Sequence, residues 1–314
     1  MAKSTKLSQR GIGDLERSIA RFETYNDGFI LPDTLLVVRL DAHRYGDWSA
    51  LRDDYPTGPT TTKGLLITAR ALMSASFRVV LAYVHGDEIS LVVDPTENVN
   101  PLRRSKVLSA FTSAAAIHFL KATGLAAMFD VKLGELPSVD RLAEYLFWQR
   151  KYCHRNATTI ALRRALLASG VSPEQTEIRM RGATEEQRVA QLKDLGCPLE
   201  TIPHTTRRGS LLYWDTVMSD GKQQTKVVVD TKLPDDDDAY EDFISDRISK
   251  ALHRESAPLP TRQSSTTVPD KQARVVIKPP TSQKPHATKS DQRTHALKRN
   301  KKAHVSVFRV QSDQ

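Results

Sequence analysis

Two stretches decide how this chain folds: Leu35-Leu-Val-Val-Arg-Leu-Asp41-Ala42-His43-Arg44-Tyr45 and Val80-Leu-Ala-Tyr-Val-His85-Gly86-Asp87-Glu88-Ile-Ser-Leu-Val-Val93. The first is an apolar run that ends in an aspartate. The second is two apolar runs joined by a tight Gly-Asp-Glu turn, the pattern of a β-hairpin. If the runs are neighbouring strands, Asp41 and Asp87 sit side by side at one sheet edge. Two carboxylates so placed can hold a pair of divalent cations about 3.5–4 Å apart, the arrangement used for phosphoryl and nucleotidyl transfer.

Working outward, the apolar spacing predicts a helix over 4–25 and another over Thr60–Phe77, the latter capped by its run of threonines. Residues 103–122 read as a helix with a stripe of Leu108, Phe111, Ala115, Phe119 and Leu120, and 127–133 as a fourth strand. The order β-α-β-β-α-β is the split βαβ, or ferredoxin-like, unit of an α+β fold, with the first strand beside the hairpin. From Ser138 to Leu195 the chain reads as helical. One helix runs from Ser138 to about Arg150, a second from Asn156 to Ser169, and two more start at the caps Ser172-Pro and Thr184-Glu-Glu-Gln. Residues 211–217 and 226–229 read as a small hairpin, and Asp235–Asp238 as solvated charge before a last helix, 239–252. The organisation expected is a catalytic palm-like region over 1–137, a helical and hairpin region over 138–253 that completes the fold, and a basic tail over 254–314.

The chain has 314 residues and a net charge of +9. From Arg254 onward there are thirteen Lys/Arg against four Asp/Glu, so the tail carries the whole excess and the body is neutral. Its Pro, Ser, Thr, Gln and Lys content predicts disorder. Its charge suits attraction to a polyanion such as nucleic acid, although a solvated tail with no partner fits equally. No apolar stretch approaches the length of a membrane span. The first residues lack a signal-peptide core, and the two cysteines form no CxxC pair, so a cytoplasmic protein with reduced thiols is expected.

Beyond the aspartates, Glu88 is a further candidate ligand. Arg39, Arg103, Arg104, Lys106 and Lys132 are candidates for binding phosphates. Arg103-Arg104-Ser-Lys106 opposes the dipole of the helix it opens, a conflict that a docked anion would remove. On spacing His154 reads first as a capping or packing residue, with a general acid–base group or an RNA contact as the alternatives. A zinc site from Cys153, His154, Cys197 and His204 has poor spacing. Thr206-Arg207-Arg208-Gly209-Ser210, just before a strand, could contact phosphate.

The motifs also resemble a known family. Val37-Val-Arg-Leu-Asp41-Ala-His-Arg-Tyr45 resembles the V-R-x-D-G-R-x-F segment of the tRNA-His guanylyltransferases. His85-Gly-Asp87-Glu88-Ile-Ser-Leu-Val-Val93 resembles their S-D-E-x-S-F-V-F hairpin. Arg103-Arg104-Ser-Lys106 resembles R-R-x-S-K, and Phe129-Asp-Val-Lys132 resembles F-D-G-R. Tyr145-Leu-Phe-Trp148-Gln-Arg-Lys-Tyr-Cys-His154-Arg155-Asn156 resembles Y-x-x-W-R-Q-x-D-x-H-x-N, with the H-R-N of the bacterial branch. Arg181-Gly182-Ala-Thr and Arg207-Arg208-Gly209-Ser210 resemble L-x-G-T and R-K-G-T. The seven matches stand in family order.

The resemblance implies a polymerase-like palm that adds nucleotides to a tRNA 5′ end in the 3′-to-5′ direction, with GTP and ATP as substrates. It implies two Mg²⁺ ions held by Asp41, Asp87 and the Ala42 carbonyl, and a triphosphate cradled by the N–H groups of Ala42, His43, Arg44 and Tyr45. Arg103, Arg104, Lys106 and Lys132 would bind phosphates. His154, Asn156, Arg188 and Arg208 would position the RNA. It further implies a homotetramer. The chain departs from the family at Ala42, which replaces a glycine, at Gly86, which replaces a serine, and at Arg188, which replaces a lysine. Two alternatives to this function are a palm-type nucleotide cyclase and a non-catalytic RNA-binding homologue.

Overall fold

The computed structural model describes residues 28–43, 58–74, 77–94, 102–219 and 222–253. The helix expected over 4–25 and the tail beyond residue 253 lie outside these.

Six strands form one sheet. They are β1 (Leu35–Ala42), β2 (Val79–His85), β3 (Glu88–Val93), β4 (Phe129–Leu136), β5 (Ser210–Ser219) and β6 (Lys222–Asp230). The order across the sheet is β4-β1-β3-β2-β5-β6. The first four strands have the 4-1-3-2 order of the split βαβ unit, with β1 antiparallel to both β3 and β4. Helices α1 (Pro59–Met73) and α2 (Arg104–Thr123) connect them. Then come α3 (Val139–Ala168), α4 (Pro173–Met180), α5 (Glu185–Asp194), α6 (His204–Arg208) and α7 (Asp237–Leu252).

Both faces of the sheet are covered. Leu36, Val38, Leu40 and Ala42 of β1 pack with α1 and α2 residues such as Leu65, Leu72, Phe111 and Phe119. Val37, Leu81, Tyr83 and Val92 face the other way, onto Leu142 and Leu146 of α3 and Tyr240 and Ile244 of α7. Every residue of β2 and β3 is buried. Strands covered on both sides read as continuous apolar runs, which is why these two were legible.

Along β1 the alternation sorts side chains by face. One face stays apolar through Ala42. The other runs Leu35, Val37, Arg39, Asp41 and so turns polar towards the strand's end.

Several expectations need correction. Helix α3 is one helix of 30 residues, not two. Nothing between Arg150 and Asn156 breaks a helix, since that stretch holds neither Gly nor Pro. The threonines of α1 do not cap it: Gly58 is the N-cap with no side-chain bond, and Pro59 opens the helix. In α2, Val107 is buried in the stripe whereas Leu120 is 46% exposed. Strand β4 lies two to three residues later than expected. The β5–β6 hairpin forms as read, with longer strands, and β5 also pairs with β2 through Leu81↔Tyr213 to Val84↔Ser210 and extends the sheet. The caps of α4 and α5 are as read: Ser172 accepts from the Gln175 N–H, and Thr184 and Gln187 form a capping box.

The acidic run is also more than solvated charge. Asp235 pairs with Arg208 at 2.8 Å and Arg207 at 3.5 Å. Asp237 pairs with the fully buried Arg150 at 2.6 Å. Arg150 also donates to the carbonyls of Pro234 and Asp235, tying α3 to the start of α7.

Candidate active site

Strand register builds the site. Asp41 lies directly opposite Glu88 on β3 and Asp130 on β4, and His85 on β2 lies opposite Glu88. Directly paired residues share a face, so Asp130, Asp41, Glu88 and His85 form one row across four strands. The adjacent row on that face holds Lys132, Arg39, Ser90 and Tyr83. Acidic and basic rows therefore alternate where the face turns polar.

Asp87 joins the acidic row from the β2–β3 turn. The turn needs a left-handed residue, and Gly86 supplies it at φ 55°. A serine there would be strained. The N–H of Ala42 donates to the Asp87 carbonyl at 3.1 Å, fastening the turn to the end of β1. The Asp41 charge acts on the Asp87 carboxyl, which burial first and that charge second push up to about 6. Burial also raises Asp41, against the pull of Arg39. Glu88 is pushed up to about 7, mainly by burial, with Arg39 opposing and both aspartates adding to the rise.

The charge on this row is under-compensated. Oε2 of Glu88 is buried without a hydrogen-bond partner. Its nearest cation is Arg39, with Nε at 4.0 Å. His85 cannot help, because burial lowers it to about 4 and leaves it neutral. Its Nε2 lies 3.5 Å from Glu88 Oε2 but is hydrogen-bonded, at 2.9 Å, to Oε1 of Gln149 on α3. Gln149 in turn donates to Ser90 Oγ at 3.1 Å and to the Tyr145 hydroxyl at 2.7 Å. This polar network fixes the floor of the site and was not foreseen. Its only sequence sign is the one-turn spacing of Tyr145 and Gln149.

Crowded carboxylate oxygens, one of them orphaned, are donors that suit a hard divalent cation. Among the described residues, no group of three or more His, Cys, Asp or Glu converges where it could hold a metal ion. A pair of carboxylates on one side leaves the remaining positions to water and phosphate, which matches the habit of Mg²⁺ rather than Ca²⁺ or Zn²⁺.

The structure places the other expected site residues as follows. The N–H groups of Ala42 and His43 are engaged, by Asp87 and by the Met128 carbonyl at 2.8 Å. A phosphate cradle made by these two is therefore corrected, and Arg44 and Tyr45 lie outside the described residues. His43 Nδ1 is 2.8 Å from Asp130. Arg104 is held by Glu135 through Nε at 2.9 Å and Nη2 at 2.7 Å. Glu135, not a docked anion, thus relieves the dipole conflict at the start of α2. Lys106 and Lys132 are exposed.

His154, on α3 five residues beyond Gln149, pairs with Glu185 at 2.7 Å, and its Nδ1 is buried without a partner. Burial, then Arg208, lowers it. Asn156 is half-buried on the same helix. Arg188 donates to Thr159 Oγ1 at 3.3 Å, and Arg208 Nε to Asp235 at 2.8 Å. Asp130 stands opposite Asp41 but was read only as part of a motif. Its strand alternation with Lys132 is the signal that could have found it.

Comparison with known proteins finds one family repeatedly. A family model described as Thg1, tRNAHis guanylyltransferase, matches residues 16–143. A probable tRNA(His) guanylyltransferase of Drosophila melanogaster is 26% identical over 213 residues, which is 64% of this chain and 74% of that protein. The tRNA(His) guanylyltransferase of Schizosaccharomyces pombe is 27% identical over 214 residues, 63% of this chain and 80% of that protein. Among solved structures, a bacterial Thg1-like protein in complex with ATP superposes with TM-score 0.62 at 16% identity, covering 78% of this chain and all of that one. The Saccharomyces cerevisiae enzyme superposes with TM-score 0.55 at 18% identity, covering 65% of this chain and 93% of that one. Seven motifs in order, the 4-1-3-2 sheet that carries them and these relatives converge on the tRNA(His) guanylyltransferases, a family of nucleotidyltransferases whose model this chain matches over residues 16–143.

Proposed function

We propose that this chain adds nucleotides to the 5′ end of a tRNA or tRNA-like RNA in the 3′-to-5′ direction, as a member of the bacterial Thg1-like branch. The observation that carries the proposal is the fastening of the Asp87 turn to the strand that ends in Asp41. The two carboxylates share one charge-starved corner of the sheet. Asp41 and Asp87 would hold Mg²⁺, with the Ala42 carbonyl as a further ligand and Glu88 beside them. When bound, Mg²⁺ neutralises the triphosphate and lowers the pKa of a coordinated hydroxyl.

The chain's own residues do the rest. Arg39 and Lys132, one row from the carboxylates, offer positive charge to phosphates. Lys106 and Arg103 offer more at the start of α2. The Gln149 network orients His85, which burial keeps neutral, and keeps the floor rigid, so the carboxylates need no reorganisation as charge develops. The incoming nucleotide's 3′-hydroxyl attacks the 5′ phosphorus of the RNA. The hydroxyl proton passes to solvent, and AMP from an ATP-activated 5′ end, or pyrophosphate from a 5′-triphosphate end, leaves as the phosphoanhydride bond breaks. His154, Asn156, Arg188 and Arg208 would position the RNA. The assembly expected is a homotetramer.

The deciding assay incubates the protein with Mg²⁺, labelled GTP and a 5′-truncated tRNA. Extension of the RNA is expected. Cyclic dinucleotide from GTP alone would instead favour a cyclase, and salt-dependent RNA binding without turnover a non-catalytic homologue.

A metal dependence of stability follows from the carboxylates. Their folded pKa values lie above the unfolded ones, so the unfolded chain loses its protons first. Metal-free stability is therefore fully retained below about pH 4 and falls as pH rises to about 7. Mg²⁺ is expected to raise Tm by several degrees at pH 8 and by little at pH 5, in thermal melts against EDTA. A Mg²⁺ effect that ignores pH would contradict this.

The thirteen Lys/Arg beyond residue 253 are proposed to bind RNA backbone non-specifically. Deleting 254–314 should weaken RNA binding at low salt and flatten its salt dependence, with GTP affinity unchanged. Unchanged RNA affinity across a salt series would refute it.

A further inference from the structure

We infer that the α3 face beside the carboxylates is a stacking platform for an unpaired base of the RNA strand, with Trp148 as its surface. This rests on the reading of the site as an RNA nucleotidyltransferase and names where the strand next to the reacting end is held.

Four side chains recur along one stripe of α3: Tyr145, Trp148, Tyr152 and Arg155. Trp148 stacks on Tyr152 with ring centroids 5.6 Å apart and planes 26° apart. Tyr145 lies 5.7 Å away, tilted by 52°. The guanidinium of Arg39 sits over the Trp148 ring at 5.7 Å, and that of Arg155 over Tyr152 at 5.0 Å. The stacked pair Trp148 and Tyr152 thus has a cation at each end, Arg39 from β1 and Arg155 from α3. Aromatic rings carry the sequence-independent part of single-strand binding, and cations beside them attract the backbone.

Trp148 is not a core residue. It is 45% exposed, while its neighbours Leu146 and Gln149 are fully buried. Beside it is an open cavity of about 320 Å³ lined by Leu136, Pro137, Arg141, Glu144, Tyr145 and Trp148. The space admits one base with its ribose and is too small for a helix of another protein. Its walls are nearly all apolar, as a π-face requires. The only cation of the lining, Arg141, is ion-paired with Glu144. A free nucleotide would find no charge there for its phosphates. A base delivered by a strand already held elsewhere needs none.

The position fits the chemistry. Arg39 bridges the platform to the acidic row, and Asp41 follows two residues later on the same face, roughly 7 Å along the strand. The cavity itself borders Leu136, which pairs with Leu35, six residues before Asp41 and so roughly 20 Å, about three nucleotides, along the strand from it.

The test compares full-length protein with Trp148→Ala and Trp148→Phe variants. Two RNA probes are used: a tRNA lacking its first 5′ nucleotides, so that the facing bases are unpaired, and the same tRNA with a fully paired acceptor stem. Trp148→Ala is expected to weaken binding of the truncated tRNA about tenfold and of the paired one less than twofold, with GTP affinity unchanged. Trp148→Phe should restore most of the loss. Equal loss on both RNAs, loss confined to GTP, or no loss at all overturns the inference. If the parent protein extends no RNA, the activity fails as a separate result, since these binding comparisons need no turnover.

Discussion

Asp87→Ala is expected to reduce RNA extension by about a thousandfold or more while leaving the fold intact. Removing this carboxylate deletes one of the two groups that oppose each other at the sheet corner, and with it the means of holding the cation. The same change should make the metal-free protein more stable, not less. Asp87 is pushed up to about 6 by burial and by Asp41, so at neutral pH its ionised form is disfavoured in the fold. This destabilisation is absent below about pH 4 and complete above about pH 6. Asp87→Asn should return about 1–3 kcal/mol above pH 6 and nothing at pH 4. Single-turnover rates and urea melts over pH 4–8, without Mg²⁺, separate the two effects. Activity within tenfold of the parent, or a variant less stable at neutral pH, would mean that Asp87 is a turn residue only.

Gly209→Ala carries the largest expected cost to stability. Gly209 joins α6 to β5 with φ 74° and ψ −164°, a region essentially closed to side chains. An added Cβ would lie 2.5 Å from the Tyr83 hydroxyl and 2.9 Å from the Val84 carbonyl. Neither can yield. Tyr83 is fully buried and donates to the Arg208 carbonyl at 2.5 Å, and Val84 belongs to a central strand. Strain and overpacking together should cost about 3–5 kcal/mol, a fall in Tm of roughly 10 °C. A Tm within two degrees of the parent would contradict this. The segment around Gly209, read from sequence as a phosphate contact, is first of all the joint that lets β5 pair with β2.

The sequence made the centre of the molecule legible because its signals there are local. An apolar run ending in Asp41 and a hairpin closing on Gly86-Asp87 are each readable within a dozen residues. The split βαβ order then leaves one way to pair them. Pairings between distant residues have no such mark. Glu135 neutralises Arg104, Met128 takes the His43 N–H, and β5 finds β2 across more than a hundred residues. Each changed the expected role of a residue that the sequence had singled out. The division of α3 into two helices was a different failure, a motif boundary taken for a structural one. The Gln149 network was hidden because a buried glutamine on a helix looks like any exposed one until its partners arrive from the sheet.

The claim on which the rest depends is that Asp41 and Asp87 grip the same divalent cation site. Crystals of the full chain soaked with Mn²⁺ and a nonhydrolysable GTP analogue would test it by anomalous scattering. The expected result is manganese bonded to oxygens of both carboxylates. Manganese bound elsewhere, or to neither aspartate, would contradict it.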